Sequence, residues 1–192
     1  MVRVYDLSPT LSPRTGVFPG DVRFQQSISM SFDKGHHLGL SSITTTLHIG
    51  AHADAPSHYS ARGEGIAARS LEYYVGQTYV AHAAISRGER VSASHLSKAL
   101  QERIVSKSRF PARFLVKTET FPDPDRWNSD FASFDPELIE ALHSCGVRLI
   151  GIDTPSIDPE TSKELESHHT IERLDMSVLE GLCLQGVPEG TY

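Results

Sequence analysis

Apolar residues recur at every second position from Val22 to Phe32: Val22, Phe24, Ile28, Met30 and Phe32, with Gln26 the one exception. An alternation of period two predicts a strand. The β-branched, Thr-rich run Ser42–Ile49 predicts another. Val2–Tyr5 reads as a short strand, as do Thr78–Ile85, Arg113–Thr118 and Ser177–Leu184, and Val147–Ile152 reads as a buried one. Helical spacing marks Ser94–Arg103, where Ser94 can cap and Leu96, Ala99, Leu100 and Arg103 lie along one side. It also marks Asp135–Cys145, where Asp135 can accept from the free amides and Pro136 loses nothing at the first turn. Leu138, Ile139 and Leu142 form its apolar stripe, and Gly146 ends it. Ser162–Ile171 predicts a third helix. Strands first, then strands and helices mixed, describe an α/β or α+β domain with a mostly β interior. No glycine-rich turn follows an early strand, so a dinucleotide-binding fold is excluded.

Prolines and glycines between Pro9 and Gly20 mark a loop, and Pro188–Gly190 a turn. That turn leads into Thr191 and Tyr192, where the sequence stops, so a C-terminal strand is expected to be missing. The 192 residues, 39% apolar and 22% charged, suit one domain over 1–192 with a real core. The net charge of -6, with no Lys/Arg cluster, argues against nucleic acid as partner. No apolar run approaches the roughly 18–20 residues that span a membrane, and no secretory signal is expected from MVRVYDLSPT, which lacks an apolar region after a basic patch. Cys145 and Cys183 stand in apolar segments and read as reduced thiols, with a disulfide the lesser alternative. A cytoplasmic enzyme with a small-molecule substrate, and neither nucleic-acid nor membrane partners, is the expectation.

The chemistry concentrates in HIGAHADAPSHY, residues 48–59. His48, His52, Asp54 and His58 offer imidazole nitrogen and carboxylate oxygen, the donors that zinc, manganese and iron favour. Gly50, Pro56 and the β-branched run before them argue against one helix face, placing the four on a strand end and a close loop instead. Glu180, between Leu179 and Gly181 in an apolar strand, would be costly without a partner. Asp153 and Asp158 in GIDTPSIDP read either as a cavity wall at a strand end or as turn chemistry. No serine has a GxSxG context. His36 and His37 read as loop, Trp127 as packing, and Arg109, Arg113 and Lys117 as solvated charges.

The HxGxHxDxPxH pattern resembles the signature of the cyclase-like metal-dependent hydrolases. The opening VYDLSPTLSP, FPGD at 18–21, VRLIGIDTPSIDP at 147–159 and SVLEGL at 177–182 extend the likeness over nearly the whole chain, towards the kynurenine formamidase (arylformamidase) branch. The resemblance implies a swivelling β/β/α domain, a homodimer or other homo-oligomer, and two Zn2+ per chain, with Mn2+ an alternative. It implies that His48, His52 and Asp54 hold the first ion, that Asp54 also touches the second, and that His58 is the general acid/base. The SKxLxxH pattern from Ser162 makes His168, in preference to His169, the second ion's histidine, with Glu180 bridging both ions. Phe18 falls where the formamidases usually have a substrate-facing Trp, and keeps an aromatic face without the indole N–H. The implied reaction is hydrolysis of N-formyl-L-kynurenine to L-kynurenine and formate, in tryptophan degradation. Isatin or another aryl formamide is the alternative substrate. A metal-binding protein without turnover is the reading from another class; His58, superfluous to passive binding, separates it from a catalyst.

Overall fold

The computed structural model describes residues 3–192. The chain runs β1 (Gln25–Met30), β2 (Leu40–Thr44), β3 (His52–Asp54), α1 (Pro56–Tyr59), β4 (Thr78–His82), β5 (Arg90–Val91), α2 (Lys98–Val105), β6 (Arg113–Lys117), β7 (Ser133–Phe134), α3 (Pro136–Ser144), β8 (Leu149–Ile152), α4 (Glu166–Arg173), β9 (Ser177–Glu180) and β10 (Gly190–Thr191). The central sheet has the order β10-β4-β6-β8-β9-β3. Its four inner strands are parallel, and β10 and β3 close the two edges antiparallel. Parallel strands covered on both faces read as continuous apolar runs, as RFLVK and LIGI do.

Successive side chains point to opposite faces. Phe114, Val116, Ile150, Ile152 and Val178 therefore join Leu100, Ile104, Leu138, Ile139, Leu142 and Ile171 of the helices in the larger core. Val80, Leu115, Leu149 and Leu179 face a second layer, closed by Leu182, Leu184, Val187 and the N-terminal Tyr5 and Leu7. The result is a mixed α/β fold with a β interior, as the alternating elements predict.

Asp135 caps α3 by accepting from the Glu137 amide at 2.9 Å. The other helices begin later than their sequence patterns predict. Residues 93–95 form a single 3-10 turn and α2 starts at Lys98. Before α4, Leu165 takes a left-handed conformation, φ 47°, and its amide donates to Ser162 Oγ.

The predicted strand from Val22 to Phe32 shortens to β1 and pairs only with β2, in a hairpin outside the central sheet. Its alternation does not face a core: every residue of β1 and β2 is exposed except half-buried Met30, and Ile28 and Ile43 are 58% and 59% exposed. The second predicted strand ends at Thr44, because the chain from 45 to 51 leaves the hairpin and turns back before entering β3. Of the expected N-terminal strand, Val2 lies outside the described residues and 3–5 form no strand. Cys145 is buried, Cys183 half-buried, and both are free. Among the described residues no helix is long and apolar enough to cross a membrane.

Candidate metal centre and adjoining cavity

Strands β3 and β9 pair so that His52 lies directly opposite Glu180 and Asp54 opposite Val178. Direct partners share a face, and so do residues two apart. His52, Asp54 and Glu180 thus project on the side where Val178 meets the helical core, and α4 supplies His168 from that side. His48 comes from the loop before β3 and His58 from the single turn of α1. Two left-handed glycines allow this closeness. A Cβ on Gly181, φ 66°, would lie 2.1 Å from the Gly50 carbonyl oxygen. A Cβ on Gly50, φ 60°, would meet the terminal methyl of Leu11 at 2.6 Å, a softer contact. Only glycine combines such a φ with such contact.

Each carboxylate divides its two oxygens between two sets of imidazoles. Asp54 Oδ1 lies 2.8 Å from His48 Nδ1 and 3.4 Å from His52 Nε2. Asp54 Oδ2 lies 3.4 Å from His168 Nε2 and 3.9 Å from His58 Nε2. Glu180 Oε2 is 3.4 Å from His52 Nε2, and Oε1 is 3.5 Å from His168 Nε2. The ring faces are fixed from behind. His52 Nδ1–H donates to the Gly50 carbonyl at 2.9 Å, and His168 Nδ1–H donates to Asp158 at 2.8 Å, so both turn Nε2 inward. Tyr59 packs on the His168 ring, with centroids 5.1 Å apart.

Both Asp54 oxygens and His168 Nε2 are buried without an aligned hydrogen-bond partner among the described residues. Buried polar atoms are rarely left so. Donor atoms of His48, Asp54 and His58, and of His52, Asp54 and Glu180, gather within 4.8 Å of one another. Orphaned donors of this chemistry, at this spacing, fit divalent ions.

The electrostatics agree. Burial opposes a charge on His52, but Asp54 and Glu180 outweigh it and raise the ring to about 10. His168 is raised likewise: burial is outweighed by Asp158, Asp54 and Glu180. Asp54 and Glu180 are held below the usual carboxylate range because the imidazoles overcome their desolvation. His58 moves the other way, since desolvation keeps its ring neutral more effectively than Asp54 charges it.

His48, His52, Asp54, His58, His168 and Glu180, all singled out in the sequence, are thus brought together. His169 is not: it faces outward beside Glu172 at 3.3 Å. A cavity of about 790 Å³ opens from His48 and His52, with Phe121 and Trp127 on its wall. Phe18 stands behind this wall, 44% exposed and edge-to-face with Trp127 at 5.7 Å between centroids. Trp127 packs on Phe18, Phe121 and Phe131, as the sequence suggests, and also lines the cavity; its indole N–H is taken by Glu160 at 2.6 Å.

Asp153 also lines the cavity and accepts from the amides of Thr118 and Glu119 and from the Thr118 hydroxyl. Of the two roles open to it in the sequence it takes the cavity wall, since the groups it accepts from belong to the chain after β6 and not to its own turn. Asp158 lies behind His168. Arg113 is not solvated: it is 9% exposed and donates to the Glu72 carbonyl. Lys117 pairs with Glu119 at 3.0 Å.

Residues 5–159 match the Cyclase family, described as "Putative cyclase". The chain is 44% identical over 192 residues to a kynurenine formamidase of Bordetella pertussis, covering all of this chain and 88% of that protein. It is 40% identical over 190 residues to the kynurenine formamidase of Delftia acidovorans, covering 99% and 87%. Among solved structures, a "predicted metal-dependent hydrolase" from Bacillus stearothermophilus superposes with a TM-score of 0.76 at 22% identity, covering 99% and 87%. Isatin hydrolase A from Labrenzia aggregata superposes with a TM-score of 0.74 at 20% identity, covering 97% and 83%.

Proposed function

Because the chain belongs to the cyclase family, we propose that it is a metal-dependent amide hydrolase that cleaves N-formyl-L-kynurenine to L-kynurenine and formate. What carries this reading is the division of the Asp54 and Glu180 oxygens between two imidazole sets, in a chain similar to kynurenine formamidases along its whole length. His48, His52 and Asp54 would hold one ion. His168 and the second oxygen of Asp54 would hold the other, with Glu180 shared between the two, zinc the first candidate and manganese the alternative. A divalent ion there supplies polarisation of the formyl carbonyl and a lowered pKa for water.

The chain's own groups do the rest. His58 is 44% exposed at the mouth of the site, and its lowered pKa leaves it neutral near pH 7. It can take a proton from the attacking water and deliver it to the anilide nitrogen as that leaves. Trp127 and Phe121, backed by Phe18, offer aromatic surface to the substrate ring. The exposed β1–β2 hairpin, with Ile28, Leu40 and Ile43 open to solvent, supports a homodimer, because an isolated two-stranded ribbon is only marginally stable in water. Two free thiols fit the cytoplasm, where tryptophan degradation would use the enzyme.

The test is metal analysis of the purified protein beside assays on N-formylkynurenine and isatin. Formamidase turnover should vanish on chelation and return with zinc or manganese. Turnover by protein shown to be metal-free would overturn the mechanism, and turnover of isatin alone would overturn the substrate.

A further inference from the structure

We propose that Asp158 is the positioning residue of one ion half-site: it fixes the His168 ring with Nε2 towards Asp54 and Glu180, and Arg90 holds it there. The inference rests on the metal-dependent reading above. The Asp158 side chain is 1% exposed, and its acceptor capacity is filled by Ser167, His168 and Arg90. Oδ2 accepts from the His168 backbone amide at 3.0 Å and from His168 Nδ1–H at 2.8 Å. Oδ1 accepts from the Ser167 amide at 3.0 Å and lies 3.4 Å from Arg90 Nη1.

One carboxylate oxygen thus grips both the backbone and the ring of the same residue, which leaves the ring little freedom to turn about its side-chain bonds. An Nδ1–H committed to Asp158 leaves Nε2 as the ligating nitrogen, and Nε2 is the orphaned, buried atom facing Asp54 and Glu180. Arg90 belongs to β5, outside the central sheet. Its guanidinium also reaches the Phe134 carbonyl at 3.0 Å, Ser167 Oγ at 3.2 Å and Glu166 at 2.5 Å. It compensates the buried charge of Asp158 and ties the start of α4 to β7. Partners behind metal-bound histidines fix the tautomer and raise ligand basicity, and their loss typically costs about 10–100-fold in metal affinity.

Asp158→Asn keeps the shape but turns an NH2 group towards donors. Zinc affinity of each site should be measured by competition with a chromophoric chelator, beside the melting temperature of the metal-free protein. One ion should weaken about 10–100-fold while the other keeps its wild-type affinity. Equal weakening of both ions, or wild-type affinity for both, overturns the proposal. Should the variant not fold, nitrogen-15 histidine spectra of the zinc-loaded wild type decide instead. A proton on His168 Nδ1 with the ion on Nε2 supports the proposal, and the reverse overturns it. A wild-type chain that takes up no zinc overturns the metal-dependent reading and this inference with it. A wild type with two ions, matched by Asp158→Asn, overturns this inference alone.

Discussion

Gly181→Ala should damage the metal centre without touching a ligand. The new Cβ would lie 2.1 Å from the Gly50 carbonyl oxygen, whereas an ordinary non-bonded contact is about 3.5 Å. One of the two backbones must retreat by more than roughly 1 Å on that scale. Leu11 and Pro9 side chains lie close beside Gly50, where an added Cβ would come within 2.6 and 3.1 Å of them, and the Gly50 carbonyl receives the His52 Nδ1–H bond at 2.9 Å. That bond should therefore break, releasing the ring that faces both Asp54 and Glu180. The left-handed conformation costs an L-residue about 1–2 kcal/mol, and overpacking adds about 1–3 kcal/mol. At about 2–4 °C per kcal/mol for a domain of this size, the metal-free protein should melt several degrees lower. Zinc affinity should fall about 10–100-fold, the usual effect of losing a histidine's outer partner. Gly186→Ala is the control: φ is 75°, but nothing lies within 4 Å of the added Cβ. It should lower the melting temperature through backbone strain alone and keep wild-type zinc affinity. Wild-type zinc binding by Gly181→Ala, or an equal loss in Gly186→Ala, would show that the Gly50–Gly181 contact does not hold the His52 ring in place.

His58→Ala should retain both ions while losing about 10²–10⁴-fold in rate; metal analysis that shows an ion lost with the activity would make His58 a ligand. Glu180→Gln removes one charge and should leave about one ion or fewer per chain, since the repulsion between two dications is then less compensated. His168→Ala should do the same and His169→Ala should not; full occupancy in Glu180→Gln ends the bridging role. Zinc binding should strengthen as pH rises from about 6.5 towards 10, because His52, raised to about 10, and His168, raised likewise, must each release a proton to ligate. Isothermal titration in buffers of different ionisation enthalpy counts those protons, and an affinity flat across the range would contradict it. Phe18→Trp should hold or improve turnover of N-formylkynurenine by enlarging the aromatic surface behind Trp127; a large loss with the fold intact would mean a cavity tuned to another substrate.

The candidate ligand string 48–58 is legible in sequence because chemistry-bearing side chains are rare and its turn residues keep them close. Glu180 is legible because a lone charge inside an apolar strand needs a partner. The choice of His168 over His169 depends on the phase of α4: adjacent helical residues diverge by about 100° and only one meets the sheet. Periodicity alone does not supply that phase; the likeness to the family's motif does. The β1–β2 hairpin shows the opposite limit. Alternation tells which residues share a face but not what covers it, and here no part of the described chain does. Strands β5 and β7, two residues each, are too short to carry a period, so Arg90 gives no sequence sign of its reach to Asp158. Trp127 is hidden in a Pro-rich loop whose packing against Phe121 and Phe131 only the fold reveals.

The pairing of His52 with Glu180 makes the site a parity check on folding. Side chains alternate between faces, so a slip of one residue between β3 and β9 would send His52 and Asp54 to the opposite side and abolish both half-sites together. A chain with mispaired edges could still bury most of its core, which lies in the inner strands and helices. It could not gather two carboxylates and three imidazoles. On the metal-dependent reading, material selected for full metal content would therefore also be selected for correct strand register, at the edge of the sheet that the hydrophobic core supervises least.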